Sequence, residues 1–228
     1  MTPMTNTSAP HQIVASQCVD ELLKRRANIS PFFVVITGDS GSGKSYYSEL
    51  IKQELEERHV PFSYINADDF LISRADREPM KHDFYREGQF IGKSKWEILE
   101  NMFRLDEFRR VVSEIKLKKE ARYKPYMRER GMVSEEDTIV QPSDIVIVDS
   151  SMLIELMDFV ILVDVDMETI IRRKVVRDSD VRTPAQIEEM HRRVQGYYWA
   201  RRKPIKADIV INNNDTENPT VTIRRTTF

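Results

Sequence analysis

Phe32-Phe33-Val34-Val35-Ile36-Thr37-Gly38-Asp39-Ser40-Gly41-Ser42-Gly43-Lys44-Ser45 is the stretch that decides how the rest of the chain is read. Its first half is apolar on both faces, the pattern of a strand buried inside a parallel sheet. Its second half fits G-x-x-x-x-G-K-[ST] in full, and a helix is expected to follow as far as Arg58. Chemistry accounts for each residue type. Backbone N–H groups can wrap around phosphate oxygens only where no Cβ blocks the approach. The helix N-terminus adds a partial positive charge. Lys44 is placed to reach β- and γ-phosphates, and the Ser45 hydroxyl to ligate Mg²⁺. The chain has seven glycines, and Gly38, Gly41 and Gly43 fall in this loop. The expectation is a nucleoside triphosphate site, with ATP and Mg²⁺ held by Gly38, Asp39, Ser40, Gly41, Ser42, Gly43, Lys44 and Ser45.

Composition bounds the rest. At 228 residues, one larger domain is expected over residues 11–228, behind a flexible leader at 1–10. Hydrophobic residues make up 40% and charged residues 32%, ordinary for a globular protein. A net charge of -2 offers no global electrostatic reason to bind nucleic acid. No apolar run approaches the roughly 18 residues of a membrane helix. Cys18 is the single cysteine, which excludes an intramolecular disulfide framework and fits a reducing cytoplasm. The oligomeric state, homo-oligomer included, stays open.

Outward from the loop, periodicity predicts a helix over His11–Arg26 and a strand over Phe62–Asn66 that ends at Asp68-Asp69. Residues 71–90 read as charged and irregular. A long helix is expected from Ser94, with Trp96, Leu99, Met102, Phe103 and Phe108 on one side. Residues 119–143 read as a loop or hairpin insertion. Strands follow at Asp144–Asp149 and Phe159–Val163. Asp166 caps an arginine-bearing helix, Pro184 starts another running to about Arg201, and Ile209-Val210-Ile211 is the last strand. Strands alternating with helices predict a three-layer α/β fold, a parallel sheet flanked by helices, with a helical arginine-bearing lid over about 172–200.

No N-K-x-D guanine motif is present; Asn212-Asn213-Asn214-Asp215 lacks the lysine. A small chain with arginines after the fourth strand suits a kinase of small molecules. In such sheets ligands lie beyond the carboxyl ends of the strands, where Asp68, Asp69 and Asp149 fall. An acceptor hydroxyl needs a base, and Mg²⁺ needs oxygen ligands. Asp68 is the candidate base; Asp69 and Asp149 join Ser45 as candidate metal groups. The plainer alternatives are helix capping for Asp68 and Asp69, and a solvated strand-end acid for Asp149. Arg172, Arg173, Arg177, Arg182, Arg192 and Arg193 can supply guanidinium groups to the transferred phosphoryl group; their plainer role is pairing with Asp178 and Asp180. His11, His59 and His191 read as surface residues, and Cys18, Trp96 and Trp199 as packing.

The sequence resembles the uridine kinase and phosphoribulokinase-like P-loop kinases, the group that includes pantothenate and glycerate kinases, from about Phe32 to Val221. Four pieces carry the resemblance: the phosphate loop itself, Asn66-Ala67-Asp68-Asp69-Phe70, the arginine series Arg173, Arg177-Asp178 and Arg182, and Lys203-Pro204 followed by Ala207-Asp208-Ile209-Val210-Ile211. It implies a P-loop kinase fold, Asp68 as base, Lys44, Arg177 and Arg182 at the transferred group, and Arg173 at the nucleotide. Three positions depart from the family pattern: Leu71 for a tyrosine, Asp149-Ser150 for Glu-Gly, and Thr183-Pro184 after Arg182. His82-Asp83-Phe84-Tyr85, Tyr123 and Tyr126 are candidate acceptor contacts, with packing as the alternative. The expected activity is ATP-dependent transfer of the γ-phosphate to a hydroxyl of a small molecule, a nucleoside or sugar. The rivals are a nucleotide-binding regulator without transfer activity, and a nucleoside monophosphate kinase using Arg74, Arg77 and Arg86 as a clamp.

Overall fold

A computed structural model describes residues 9–85, 99–151, 153–154, 156–180, 182–188, 191 and 206–224. In chain order the elements are α1 (Ala9–Arg26), β1 (Phe32–Gly38), α2 (Lys44–Glu57), β2 (Ser63–Asn66), α3 (Arg74–Tyr85), α4 (Leu105–Lys116), β3 (Ala121–Tyr123), β4 (Tyr126–Met127), β5 (Met132–Val133), β6 (Thr138–Val140), β7 (Ile145–Asp149), β8 (Phe159–Asp164), α5 (Met167–Asp178), β9 (Ile209–Asn212) and β10 (Thr220–Ile223). The main sheet runs β10-β9-β8-β1-β7-β2. All its pairings are parallel except β10 with β9. This is the α/β, parallel-sheet, helix-flanked architecture expected from the sequence.

Every residue of β1 is buried because the strand is covered on both faces. Phe32, Val34 and Ile36 join Ile145, Ile147, Phe159 and Ile161 against α1 and α2. Phe33 and Val35 join Val146 and Val148 on the other face, against Phe70, Phe108, Val111 and Ile115. A run of β-branched and aromatic residues without alternation follows directly from burial on both sides.

Register places the functional edge. Ile36 and Asn66 both lie beside Asp149, Gly38 lies beside Val163, and Asp164 beside Asn212. The phosphate loop, the turn after β2, the end of β7 and the turn after β9 therefore emerge from one end of the sheet.

Four expectations are corrected. Residues 74–85 are helical, not irregular: Ser73 Oγ accepts from the Asp76 amide at 3.1 Å and donates to Asp76 Oδ2 at 2.5 Å, a reciprocal cap at the helix start. The long helix expected from Ser94 is broken. A 3-10 turn at Leu99–Met102 precedes α4, because Leu71 bridges Phe103 and the Arg104 amide donates to the Phe70 carbonyl at 2.7 Å. The strand β10 was unforeseen, since its Thr and Asn surroundings lack an apolar run. His11 and His191 are buried rather than on the surface, at 6% and 2% exposure. The insertion at 119–143 is two short antiparallel ladders, β3 with β6 and β4 with β5. Trp96, Trp199, Arg86, Arg192, Arg193, Lys203 and Pro204 lie outside the described residues, as do the side chains of His82, Asp83, Phe84 and Tyr85.

Candidate active site

Gly43 sits at the start of α2 with φ 97°, and no side chain caps the helix. The left-handed backbone favours glycine, and a Cβ built there would lie 2.7 Å from Asn213 Nδ2. The uncapped first turn leaves its amides directed into the loop, an arrangement suited to an anion. Asn213 fixes the loop from behind: its amide donates to the Ser42 carbonyl at 2.7 Å. Arg173 braces the same region, donating to the carbonyls of Ser42 at 3.4 Å and Asn213 at 2.5 Å. Desolvation and the neighbouring Arg172 charge lower its pKa from the usual guanidinium value.

Around this loop lies a cavity of about 350 Å³, with Lys44, Ser45, Asp68, Arg128, Ser151 and Arg177 on its walls. Asp39, Ser40, Gly41, Gly43, Tyr46, Arg173 and Lys174 complete that surface. Lys44 Nζ is 2.8 Å from Asp149 Oδ1 and 3.5 Å from Ser45 Oγ. The contact with Asp149 has the distance of an ion pair without hydrogen-bond angles, so its attraction is chiefly Coulombic. Asp149 is 4% exposed. An ammonium, an exposed hydroxyl and a buried carboxylate thus meet at the head of α2.

Asp68 and Asp69 stand in a 3-10 turn, Ala67–Phe70, capped by Asn66 Oδ1, which accepts from the Asp68 amide at 3.0 Å. With about three residues per turn, adjacent side chains diverge by roughly a third of a rotation. Asp68 faces the cavity. Asp69 turns to the hairpin insertion and accepts from the Tyr123 hydroxyl at 2.9 Å. Burial raises the Asp69 pKa and the Asp68 charge adds to this, while the Tyr123 hydroxyl and Arg104 oppose it. Asp69, expected near the metal, therefore does not line the cavity with Ser45, whereas Asp149 reaches that wall through its contact with Lys44.

The helix α5 is held by Asp166, whose Oδ1 accepts from the Thr169 amide at 2.7 Å. Arg173 and Arg177 reach the cavity from it; Arg177 is forked onto Asp178 through Nε at 2.6 Å and Nη2 at 2.9 Å. Arg182 is exposed and does not line the cavity; its amide donates to the Asp178 carbonyl at 3.1 Å. Lys174 was missed by sequence reading. It is 7% exposed, its Nζ is 2.9 Å from His191 Nδ1, and burial lowers its pKa to about 8.

Arg74 and Arg77, the suggested clamp, serve the hairpin. Arg74 Nη2 donates to the Arg128 carbonyl at 3.0 Å, and the Arg77 guanidinium lies 4.7 Å from the Tyr126 ring centroid. Arg128, Ser151 and Asn213 were also missed. The sequence around each has no motif, and only the sheet order and the hairpin bring them to the loop.

The residues fit a magnesium nucleotide. A hard cation that keeps most of its waters needs one or two protein oxygens besides phosphates, and Ser45 and Asp149 supply such groups beside the uncapped helix. Among the described residues no cluster of three or more His, Cys, Asp or Glu could hold a metal by itself. No described helix is long and apolar enough to cross a membrane.

Comparison with known proteins bears on the fold and the family. No curated protein matches the chain. Among solved structures, D-glycerate 3-kinase from Cryptococcus neoformans var. grubii is 15% identical, covering 83% of this chain and 87% of its own, with a TM-score of 0.61. Phosphoribulokinase from Rhodobacter spheroides is 19% identical over 80% of this chain and 69% of its own, with a TM-score of 0.57. The YGR205w protein is 13% identical over 96% of this chain and 100% of its own, with a TM-score of 0.67. At these low identities the superpositions show a shared fold and no more. The model of the phosphoribulokinase / uridine kinase family matches residues 33–217, which span β1, the phosphate loop, the Asp68 turn, α5 and β9. The chain belongs to the phosphoribulokinase / uridine kinase family, a family of ATP-dependent kinases.

Proposed function

We propose that this protein transfers the γ-phosphate of ATP to a hydroxyl of a small molecule of nucleoside or sugar type. The observation that carries the reading is the single cavity in which Lys44, Ser45 and the uncapped α2 terminus face Asp68. A phosphate site and a carboxylate on the wall of the same cavity are the two parts that transfer to an alcohol requires.

The loop amides and Lys44 bind the phosphates, and Lys44 exchanges part of its attraction to Asp149 for the phosphate oxygens. Ser45 and Asp149, the latter through water, are the groups that would hold Mg²⁺, which when bound neutralises charge on the phosphate oxygens. Asp68 accepts the proton of the attacking hydroxyl. Arg177 stabilises charge on the transferred group, and Arg173 keeps the loop in shape while facing the nucleotide. Arg182 joins by lid closure.

The test is ATP consumption against a panel of nucleosides, sugars and hydroxy acids, with and without chelation of Mg²⁺. Acceptor-dependent, Mg²⁺-dependent ADP formation is expected. Tight ATP binding with no turnover on any acceptor would favour a regulator instead.

A further inference from the structure

Of the cations on the cavity wall, four are already engaged. Lys44 is paired with Asp149, Arg177 is forked onto Asp178, Arg173 is bonded to main-chain carbonyls, and Lys174 is buried against His191. Arg128 differs. It lines the same cavity as Asp68, its side chain is exposed, and no carboxylate pairs with its guanidinium among the described residues.

Its position is fixed by other residues. Arg128 begins the turn between β4 and β5, where Tyr126 pairs with Val133 and Met127 with Met132. The Gly131 amide donates to the Met127 carbonyl at 2.8 Å. Gly131 has φ 69°, and a Cβ there would lie 3.1 Å from Arg74 Cβ, so the tight turn favours glycine. Arg74 grips the turn twice, through its amide to the Gly131 carbonyl at 2.7 Å and through Nη2 to the Arg128 carbonyl at 3.0 Å. Arg77 stacks beneath, over Tyr126. Two arginines and a glycine hold the backbone from which a third arginine enters the site beside the Asp68 turn.

We infer that Arg128 is a specificity-determining residue and that the acceptor is an anionic alcohol, carrying a carboxylate or phosphate besides the hydroxyl that Asp68 activates. This rests on the kinase reading above and refines its acceptor, because a neutral nucleoside would offer no oxyanion to a guanidinium that lines the same cavity as Asp68. The planar fork of arginine suits either anion, so the shared chemistry is bidentate oxyanion recognition.

The experiment fills the nucleotide site with a non-hydrolysable ATP analogue and Mg²⁺, then titrates glycerol, glycerate and glycerol phosphate by calorimetry. At least one anion should bind tenfold or more tighter than glycerol. R128A should reduce that advantage by about ten- to a hundredfold, the worth of a hydrogen-bonded charge, without changing affinity for the analogue. R128K should keep part of it. Preference for glycerate identifies a hydroxy acid, and preference for glycerol phosphate a phosphorylated alcohol. Equal affinity for all three, no binding of either anion, or an anion preference that R128A leaves intact would overturn the inference. Failure of the analogue itself to bind would instead overturn the kinase reading. Unchanged melting temperature in R128A is the folding control.

Discussion

Asp68 and Asp69 are neighbours in sequence, yet only Asp68 faces the cavity, while Asp69 accepts from Tyr123. Asp68→Asn should leave ATP affinity near normal and lower kcat by about 10²-fold or more, the usual reach of losing a general base. Asp69→Asn should act more weakly on kcat and more on stability, because it disturbs a half-buried hydrogen bond. Steady-state kinetics beside thermal melts separate the two. A larger kcat loss in Asp69→Asn would exchange their roles. Lys44→Ala should abolish measurable turnover and weaken nucleotide binding tenfold or more, since no other loop residue carries a cation; calorimetry with ATP checks this. The pair of acids was legible in the sequence at a strand end. Asp68 was singled out there as the candidate base, but that Asp69 turns away to Tyr123 was not legible, because it depends on the pitch of a 3-10 turn. Arg128 was illegible for a different reason: it lies far along the chain from the loop, in a segment with no motif, and reaches the site only through the Arg74-held hairpin.

Among elements, α5 and its Asp166 cap were expected from the sequence, and its arginines do not describe the helix fully. Arg177→Ala should depress kcat more than it raises the KM for ATP, because a lid group acts as the transition state forms. A loss of melting temperature alone, with kinetics intact, would mark Arg177 as the partner of Asp178 and no more. Lys174 gives the same helix a pH dependence. Its pKa is lowered to about 8 from 10.5 by burial, with Arg177 contributing. Between those values the unfolded chain holds more proton at this residue than the folded one, so its contribution to stability rises with pH across that window. Urea melts at pH 8 and pH 10 should show a smaller gain, or a larger loss, in Lys174→Met than in the native protein. Parallel pH curves for the two would show that Lys174 titrates normally. The helix α3 shows the converse limit of legibility. Its capping signal, Ser73 three residues before Asp76, was present, but the charged surface pattern concealed it.

At the scale of the whole molecule, both layers of core meet on the same sheet, and Cys18 lies fully buried in one of them. Burial pushes its thiol up to about 12, so almost no thiolate exists near neutrality. Labelling of Cys18 by a thiol reagent should therefore require opening of the layer formed by α1 and α2, and should slow when ATP and Mg²⁺ are bound. Mass spectrometry over time checks this; rapid labelling of the folded protein would show that α1 detaches readily. The α/β architecture was legible because strand burial on two faces leaves a compositional mark. The order of strands was not, since pairing β1 with β7 and β8 depends on contacts between distant segments.

The brace behind the phosphate loop has a consequence for the order in which the protein is made. The loop leaves the ribosome well before two of its supports, Arg173 and Asn213, the latter directly after β9. His11, which precedes the loop, also waits, its Nε2 lying 2.7 Å from the Thr216 carbonyl. Nascent chains released or stalled before these residues emerge should not be retained on immobilised ATP, although they already contain every residue from Gly38 to Ser45. Those extended to carry β9 and the turn after it should be. During synthesis the nucleotide then becomes a ligand only of chains that already carry β9 and the turn after it, so it can stabilise the braced loop without trapping shorter chains.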